Sequence, residues 1–262
     1  MNKKKLLVTG STGFIGKNLL QRLRGYDIIA PRRQSGFDIC DEETFPEEKV
    51  DSVIHLAGIS RGTLDSEMGS TNVLGTRNVL KFCKQHGVKH IFMSTGAVYH
   101  SSDLPITEDG KVNPRSFYAA TKLVGEDICR RFDVDSIILR VGNVYGPGQQ
   151  EGYLIPNLID PRKRVVTNPF PMRDYVFIDD VVSALIKSLD YEGSGTFNIG
   201  LGVSHSVGKI YELVTGKKLS YSGHKDPKDN ILLDVSKARH QLNWLSKINI
   251  REGIKRTKEY GK

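Results

Sequence analysis

Three glycines, Gly10, Gly13 and Gly16, occupy the stretch VTGSTGFIGKNL, between the apolar run Lys5–Thr9 and the amphipathic run Phe14–Leu23. A chain that passes from strand to helix through its least hindered residues makes a tight turn and lets a ligand approach the backbone closely. The exposed N–H groups of a helix entered this way attract phosphate. Three glycines alone could serve a structural turn. Their position after a strand and before a helix is the context that a dinucleotide-binding loop requires.

The same alternation continues. Strands are expected at Asp27–Ala30, Ser52–Leu56, His90–Met93 and Ser136–Arg140, with helices at Asn72–His86 and Ser116–Phe132. Strand–helix–strand repetition implies a parallel sheet covered on both faces, and right-handed crossovers make it doubly wound. The expected fold is therefore α/β, a Rossmann-like doubly wound sheet over residues 1–146. After Gly146 five prolines, Pro147, Pro156, Pro161, Pro169 and Pro171, interrupt the pattern. Helices at Asp179–Leu189, Ser206–Thr215 and Arg251–Tyr260 and a strand at Thr196–Ile199 follow. Residues 147–262 read as a small C-terminal α/β lobe, partly interleaved with the sheet, that would bind the substrate.

Composition narrows the function classes. The 262 residues suffice for one large α/β domain or two small ones. The hydrophobic fraction is 38% and no apolar run reaches membrane-spanning length. The N-terminus lacks the apolar core and cleavage site of a signal peptide. Cys40, Cys83 and Cys129 form neither a metal-type pair nor an even disulfide set, as expected of reduced cytoplasmic thiols. No His/Cys/Asp cluster has metal-ligand spacing. The net charge of +8 is dispersed and lacks an aromatic stacking platform, so a ligand with several phosphates is expected rather than nucleic acid.

The spacing Gly-x-x-Gly-x-x-Gly in TGSTGFIG resembles the opening of the short-chain dehydrogenase/reductase superfamily, in its extended branch. Further segments follow in order: DI (Asp38–Ile39), HLAG (His55–Gly58), MSTGAVY (Met93–Tyr99), YAATK (Tyr118–Lys122), RDYVFIDDV (Arg173–Val181) and LDVSKARHQLNW (Leu233–Trp244). Together they are similar to nucleotide-sugar epimerases, dehydratases and reductases over nearly the whole chain.

The resemblance implies that Gly10, Thr12, Gly13, Phe14, Ile15, Gly16, Asp38, Ile39, Leu56, Ala57, Gly58 and Asn72 bind a nicotinamide dinucleotide. It makes Thr95, Tyr118 and Lys122 catalytic. Tyr118 and Lys122 lie at i and i+4 and share a helix face. A nearby ammonium and an oxidised nicotinamide favour the phenolate of a group whose unperturbed pKa is about 10. Lys122 would also hold the nicotinamide ribose. Thr95 stands three residues before Val98-Tyr99, as the family pattern requires, with Ser94 as the neighbouring alternative. Dehydratases carry an acidic pair after this hydroxyl. Here Gly96 and Ala97 cannot transfer a proton, which argues against dehydration.

After the second strand an acid suits the ribose of NAD and an arginine the 2′-phosphate of NADP. The sequence places Arg32 and Arg33 there, favouring NADP over NAD. Asn143 and Arg173 align with contacts to a nucleotide-diphosphate sugar. A second family arginine is absent, its region holding His224, Lys225 and Lys228 instead. His55 reads as structural. The expectation is an NADPH-dependent reductase of a 4-keto sugar. A 4-epimerase with retained NAD and a non-catalytic dinucleotide sensor are the alternatives. By the same resemblance, helices Asn72–His86 and Ser116–Phe132 pair across a two-fold axis as a homodimer.

Overall fold

β1 (Lys5–Thr9) alternates its side chains between two helical layers, as strand geometry demands. Leu6 and Val8 meet Leu19 of α1 (Phe14–Leu20), whereas Leu7 meets the opposite layer. The computed structural model describes residues 3–220 and 229–260. From β1 the chain runs to β2 (Asp27–Ile29), then crosses to β3 (Ser52–His55) on the other side of β1. α2 (Asp65–Gly69), a π turn (Ser70–Leu74) and α3 (Gly75–His86) follow as one run, then β4 (Lys89–Thr95), α4 (Phe117–Arg131) and β5 (Ser136–Val141).

The second half adds β6 (Asn143–Tyr145), α5 (Leu154–Ile159), β7 (Met172–Phe177), α6 (Ile178–Ser188), β8 (Gly195–Ile199), β9 (Ser204–Ser206), α7 (Val207–Thr215), β10 (Asn230–Ile231), α8 (Ser236–Gln241) and α9 (Ile250–Glu259). The main sheet is parallel, in the order β2-β1-β3-β4-β5-β8, and β10-β7-β6 form a second sheet joined by β9. β8, from beyond residue 146, thus completes the edge of the N-terminal sheet. α1 packs against α6 on one face. Val79 and Phe82 of α3 cover Leu7 and Val53 on the other, and Cys129 of α4 packs with Phe92 and Ile138.

Two buried aspartates of RDYVFIDDV fasten the C-terminal segments. Asp174 accepts from the backbone N–H of Leu201 (2.6 Å), Gly202 (3.0 Å) and Leu233 (3.4 Å). Burial lifts its carboxyl to about 6, with these N–H donors pulling the other way. Asp180 accepts from Ser246 Oγ and the N–H of Lys247 and Ile248, and its carbonyl takes the indole N–H of Trp244 at 3.0 Å. This segment is therefore largely a clasp, with Arg173 as its outward-acting member.

Candidate active site

The reversal of strand order between β1 and β3 opens a crevice at the carboxyl ends of the strands, where ligands of such sheets bind. Gly10, directly after β1, has φ +70° and lies so close to the β3 turn that a Cβ would stand 2.6 Å from the carbonyl carbon of Leu56. At Gly16 a Cβ would meet Ser11 Cα at 2.7 Å, so only glycine lets the helix close on its own loop. Gly13 N donates back to Gly10 O at 3.1 Å and the helical ladder starts with Lys17 N to Gly13 O, so the N–H groups of Phe14, Ile15 and Gly16 have no acceptor within the helix.

These turns border a cavity of about 340 Å³. Of the residues expected to hold a dinucleotide, Gly10, Thr12, Gly13, Arg32, Arg33, Ile39, Leu56, Ala57 and Gly58 line it. Ser11 Oγ is buried beside it without a hydrogen-bond partner among the described residues. A dinucleotide fits this cradle of close-packed glycines, free N–H groups and cations. Phe14, Ile15 and Gly16 form the first turn of α1. Asp38 braces the far wall: its carboxylate accepts from Cys40 N at 2.9 Å and lies 4.0 Å from Arg33. A larger cavity of about 440 Å³, at Cys83, Gly87, Phe132 and Ser194, contains none of the expected site residues.

Asn72 is held by protein groups on both sides of its amide. It is 1% exposed, accepts from Ile59 N at 2.7 Å, and donates to Ile59 O and Thr121 Oγ1. Its amide is used in clamping the loop after β3 to α4, and the π turn delivers it there. His55 is structural, as read: Thr9 Oγ1 lies 2.7 Å from its Nδ1 and Thr76 Oγ1 3.1 Å from its Nε2. Since Thr76 donates to Asn72 O, the imidazole carries its proton on Nε2 and accepts from Thr9 on Nδ1. Burial holds it well below the ordinary histidine range, and His90 and Lys122 add to this.

At the end of β4, Thr95 Oγ1 accepts from Ala97 N at 3.1 Å and its side chain is only partly buried. Ser94 points inward instead, donating to Glu126 at 2.5 Å. Of the two hydroxyls, that of Ser94 is thus engaged by a buried carboxylate and that of Thr95 lies at the partly exposed strand end. Ala97 is exposed, while Gly96 packs under Leu233, whose Cδ2 would stand 3.3 Å from a Cβ there.

Tyr118 and Lys122 lie one turn apart on α4, which Ser116 caps by accepting from Ala119 N. Lys122 is 4% exposed, its Nζ 4.6 Å above the Phe92 ring. Burial lowers this ammonium to about 8, with Cys129 and Glu126 acting to raise it. The expectation that Lys122 favours the Tyr118 phenolate is not met in the chain alone: burial, then the neighbouring Tyr153, push that phenol up. The ammonium faces an aromatic ring rather than the hydroxyl.

The next residue of the same helical face, Glu126, was not singled out from the sequence, although continuing the Tyr118–Lys122 interval by four positions reaches it. It is fully buried and receives Ser94, Arg130 and three contacts from Arg140, the shortest 2.6 Å. Burial pushes its carboxyl up, and Arg140 more than reverses this, leaving it below the usual range. Tyr153 was likewise not anticipated. Its ring lies under the Arg61 guanidinium at 3.6 Å and its hydroxyl is 3.1 Å from Ser60, linking the loop after β3 to the C-terminal lobe.

On the substrate side, Asn143 is exposed at the head of β6, two residues past the Val141 that pairs with Thr95. Arg173 is 23% exposed and donates to both the carbonyl and the carboxylate of Asp229. His224, Lys225 and Lys228 lie outside the described residues.

Comparison with known proteins places the whole chain among relatives of this fold. Residues 6–200 match the model of the NAD dependent epimerase/dehydratase family. The dTDP-4-dehydro-6-deoxyglucose reductase of Escherichia coli is 28% identical, covering 96% of each chain. The UDP-glucose 4-epimerase of Thermotoga maritima, solved with UDP-glucose, has a TM-score of 0.86 at 28% identity over 98% of each chain. MoeE5, solved with UDP-glucuronic acid and NAD, has a TM-score of 0.86 at 27% identity, also over 98% of each.

Proposed function

Because the chain belongs to the NAD dependent epimerase/dehydratase family, and is thereby an enzyme of the extended short-chain dehydrogenase/reductase type, we propose that it reduces the 4-keto group of a nucleotide-diphosphate sugar with NADPH. The observation that carries the choice of cofactor is the pair Arg32–Arg33, which borders the cavity directly after β2. An arginine fork matches phosphate oxygens, and no acid stands at Pro31–Gln34 to take a free ribose hydroxyl.

The bound nicotinamide supplies the hydride that reaches the sugar carbon. Tyr118 gives its proton to the ketone oxygen as that bond becomes an alkoxide. The raised phenol suits the acid form this step needs. Thr95 accepts from Ala97 N, so its own O–H is available to the same oxygen. Lys122 holds the nicotinamide ribose, and Asn143 and Arg173 take the diphosphate. Gly96 and Ala97 offer no side chain for eliminating water. Leu74, Phe117 and Val124 are exposed apolar residues on the π turn and α4, the surface on which a homodimer would pair.

A 4-epimerase with retained NAD is the second reading, favoured by the solved relative that holds NAD and a UDP-sugar. One experiment separates them: identify any nicotinamide released on denaturing the protein, then offer NADPH with a panel of nucleotide 4-ketosugars. The expected result is an empty or NADP-loaded protein that oxidises NADPH stoichiometrically, with Arg32→Asp shifting preference toward NADH. Tightly held NAD without net NADPH loss selects the epimerase.

A further inference from the structure

Arg173 is not alone at Asp229. Arg115, three residues before Tyr118, reaches the same carboxylate from the opposite side, its Nη1 3.5 Å from Oδ1 while Arg173 takes Oδ2. The three groups come from separate elements: the loop before α4, β7, and the residue preceding β10. Hydrogen bonds hold the chain beside Arg115 and Asp229. Asn113 N donates to Val98 O at 2.8 Å and Ser116 caps α4, which fixes Arg115 between them. Asn230, next to Asp229, donates its N–H to Ser101 at 2.8 Å and its amide to Asp103 at 2.8 Å, and it accepts from Met172 N. The carboxylate is 32% exposed and Arg115 50%, so solvent reaches the cluster.

Two guanidiniums around one carboxylate leave an excess positive charge. Forked donors of this kind match phosphate oxygens as well as they match a carboxylate. We infer that Asp229 is a resident substitute for the substrate's diphosphate, which displaces it from Arg173 and Arg115, and that Arg115 provides the second arginine arm that the sequence lacks before Leu233. The inference rests on the nucleotide-diphosphate reading of the site. It makes an internal carboxylate the competitor of every incoming ligand. A ligand with two phosphate charges displaces it, and an uncharged sugar or nucleoside does not.

The test is calorimetric titration of UDP, dTDP, GDP and uridine into the whole chain and into Arg115→Gln, Asp229→Asn and Arg173→Gln, with NAD(P) binding as the measure of an intact fold. Arg115→Gln is expected to weaken the preferred nucleoside diphosphate about tenfold, the loss of one charge-assisted contact. Asp229→Asn is expected to tighten it several-fold, because the competing anion is gone. A merely structural ion pair predicts the opposite sign for Asp229→Asn. Diphosphate affinity unchanged in Arg115→Gln, or weakened in Asp229→Asn, overturns the inference while loss in Arg173→Gln leaves the nucleotide-sugar reading standing. If the unaltered chain binds cofactor but none of the diphosphates, that reading fails and the inference falls with it.

Discussion

Lys122, assigned above to the nicotinamide ribose, is a cation buried at a cost to stability. Its ammonium is almost wholly removed from water and faces an aromatic ring. A folded value of about 8 against the ordinary 10.5 means that, between those limits, the unfolded chain binds more protons than the folded one. Stability contributed by this group therefore rises as pH increases from about 8 toward 10.5, and its destabilising effect is fully present below 8. Lys122→Met is expected to abolish turnover yet stabilise the cofactor-free chain at pH 7, by an amount on the order of 2 kcal/mol. Urea unfolding of both proteins at pH 7 and pH 10 checks this. The gain should shrink at the higher pH, and a variant less stable at pH 7 would falsify the account.

At the scale of elements, the buried carboxylate of Glu126 locks α4 to the ends of β4 and β5 through Ser94 and Arg140. Arg140 is 4% exposed and also donates to Glu108 O, so it cannot turn to solvent when its partner loses charge. Glu126→Gln is expected to destabilise the chain by about 3 kcal/mol, the usual consequence of breaking a buried pair from one side. Because Thr95 follows Ser94 and Lys122 lies one turn from Glu126, kcat should fall while KM for the nucleotide substrate changes little. Equal losses in both parameters would assign Glu126 to folding alone. The i, i+4, i+8 spacing was visible in the sequence. Its inward direction was not, since that depends on which face of α4 the sheet covers.

At the scale of the whole molecule, Asn143 follows β5 two residues past the partner of Thr95 and pairs with Tyr175 on β7, the strand that carries Arg173. The face carrying Leu74, Phe117 and Val124 lies on the helical layer formed by α3 and α4. If two copies pair there, Val124→Glu is expected to convert a dimer to a monomer without unfolding it, since the residue is 46% exposed. Sedimentation or light scattering at several concentrations reads the outcome, and an unaltered mass removes this surface from consideration.

The sequence by itself determined the main sheet and the glycine turn. Both follow from local sequence: apolar runs make strands, and Gly16 is required by contacts within its own loop, whereas the contact that requires Gly10 lies across the sheet at Leu56 and Ala57. Tertiary structure alone decided the rest. β6, β7 and β10 are short strands amid prolines, and their pairing comes from partners up to 59 residues away, as in the Asp174 contact to Leu233. Asn72 clamps the loop after β3 to α4 because its amide meets Ile59 and Thr121 only in the folded chain. Arg115 gained a place beside Arg173 through Asp229, a residue 114 positions away from it in sequence. Hydrogen bonds and charges act over a few ångströms of space, and neighbours at that range are set by topology, which local spacing does not encode.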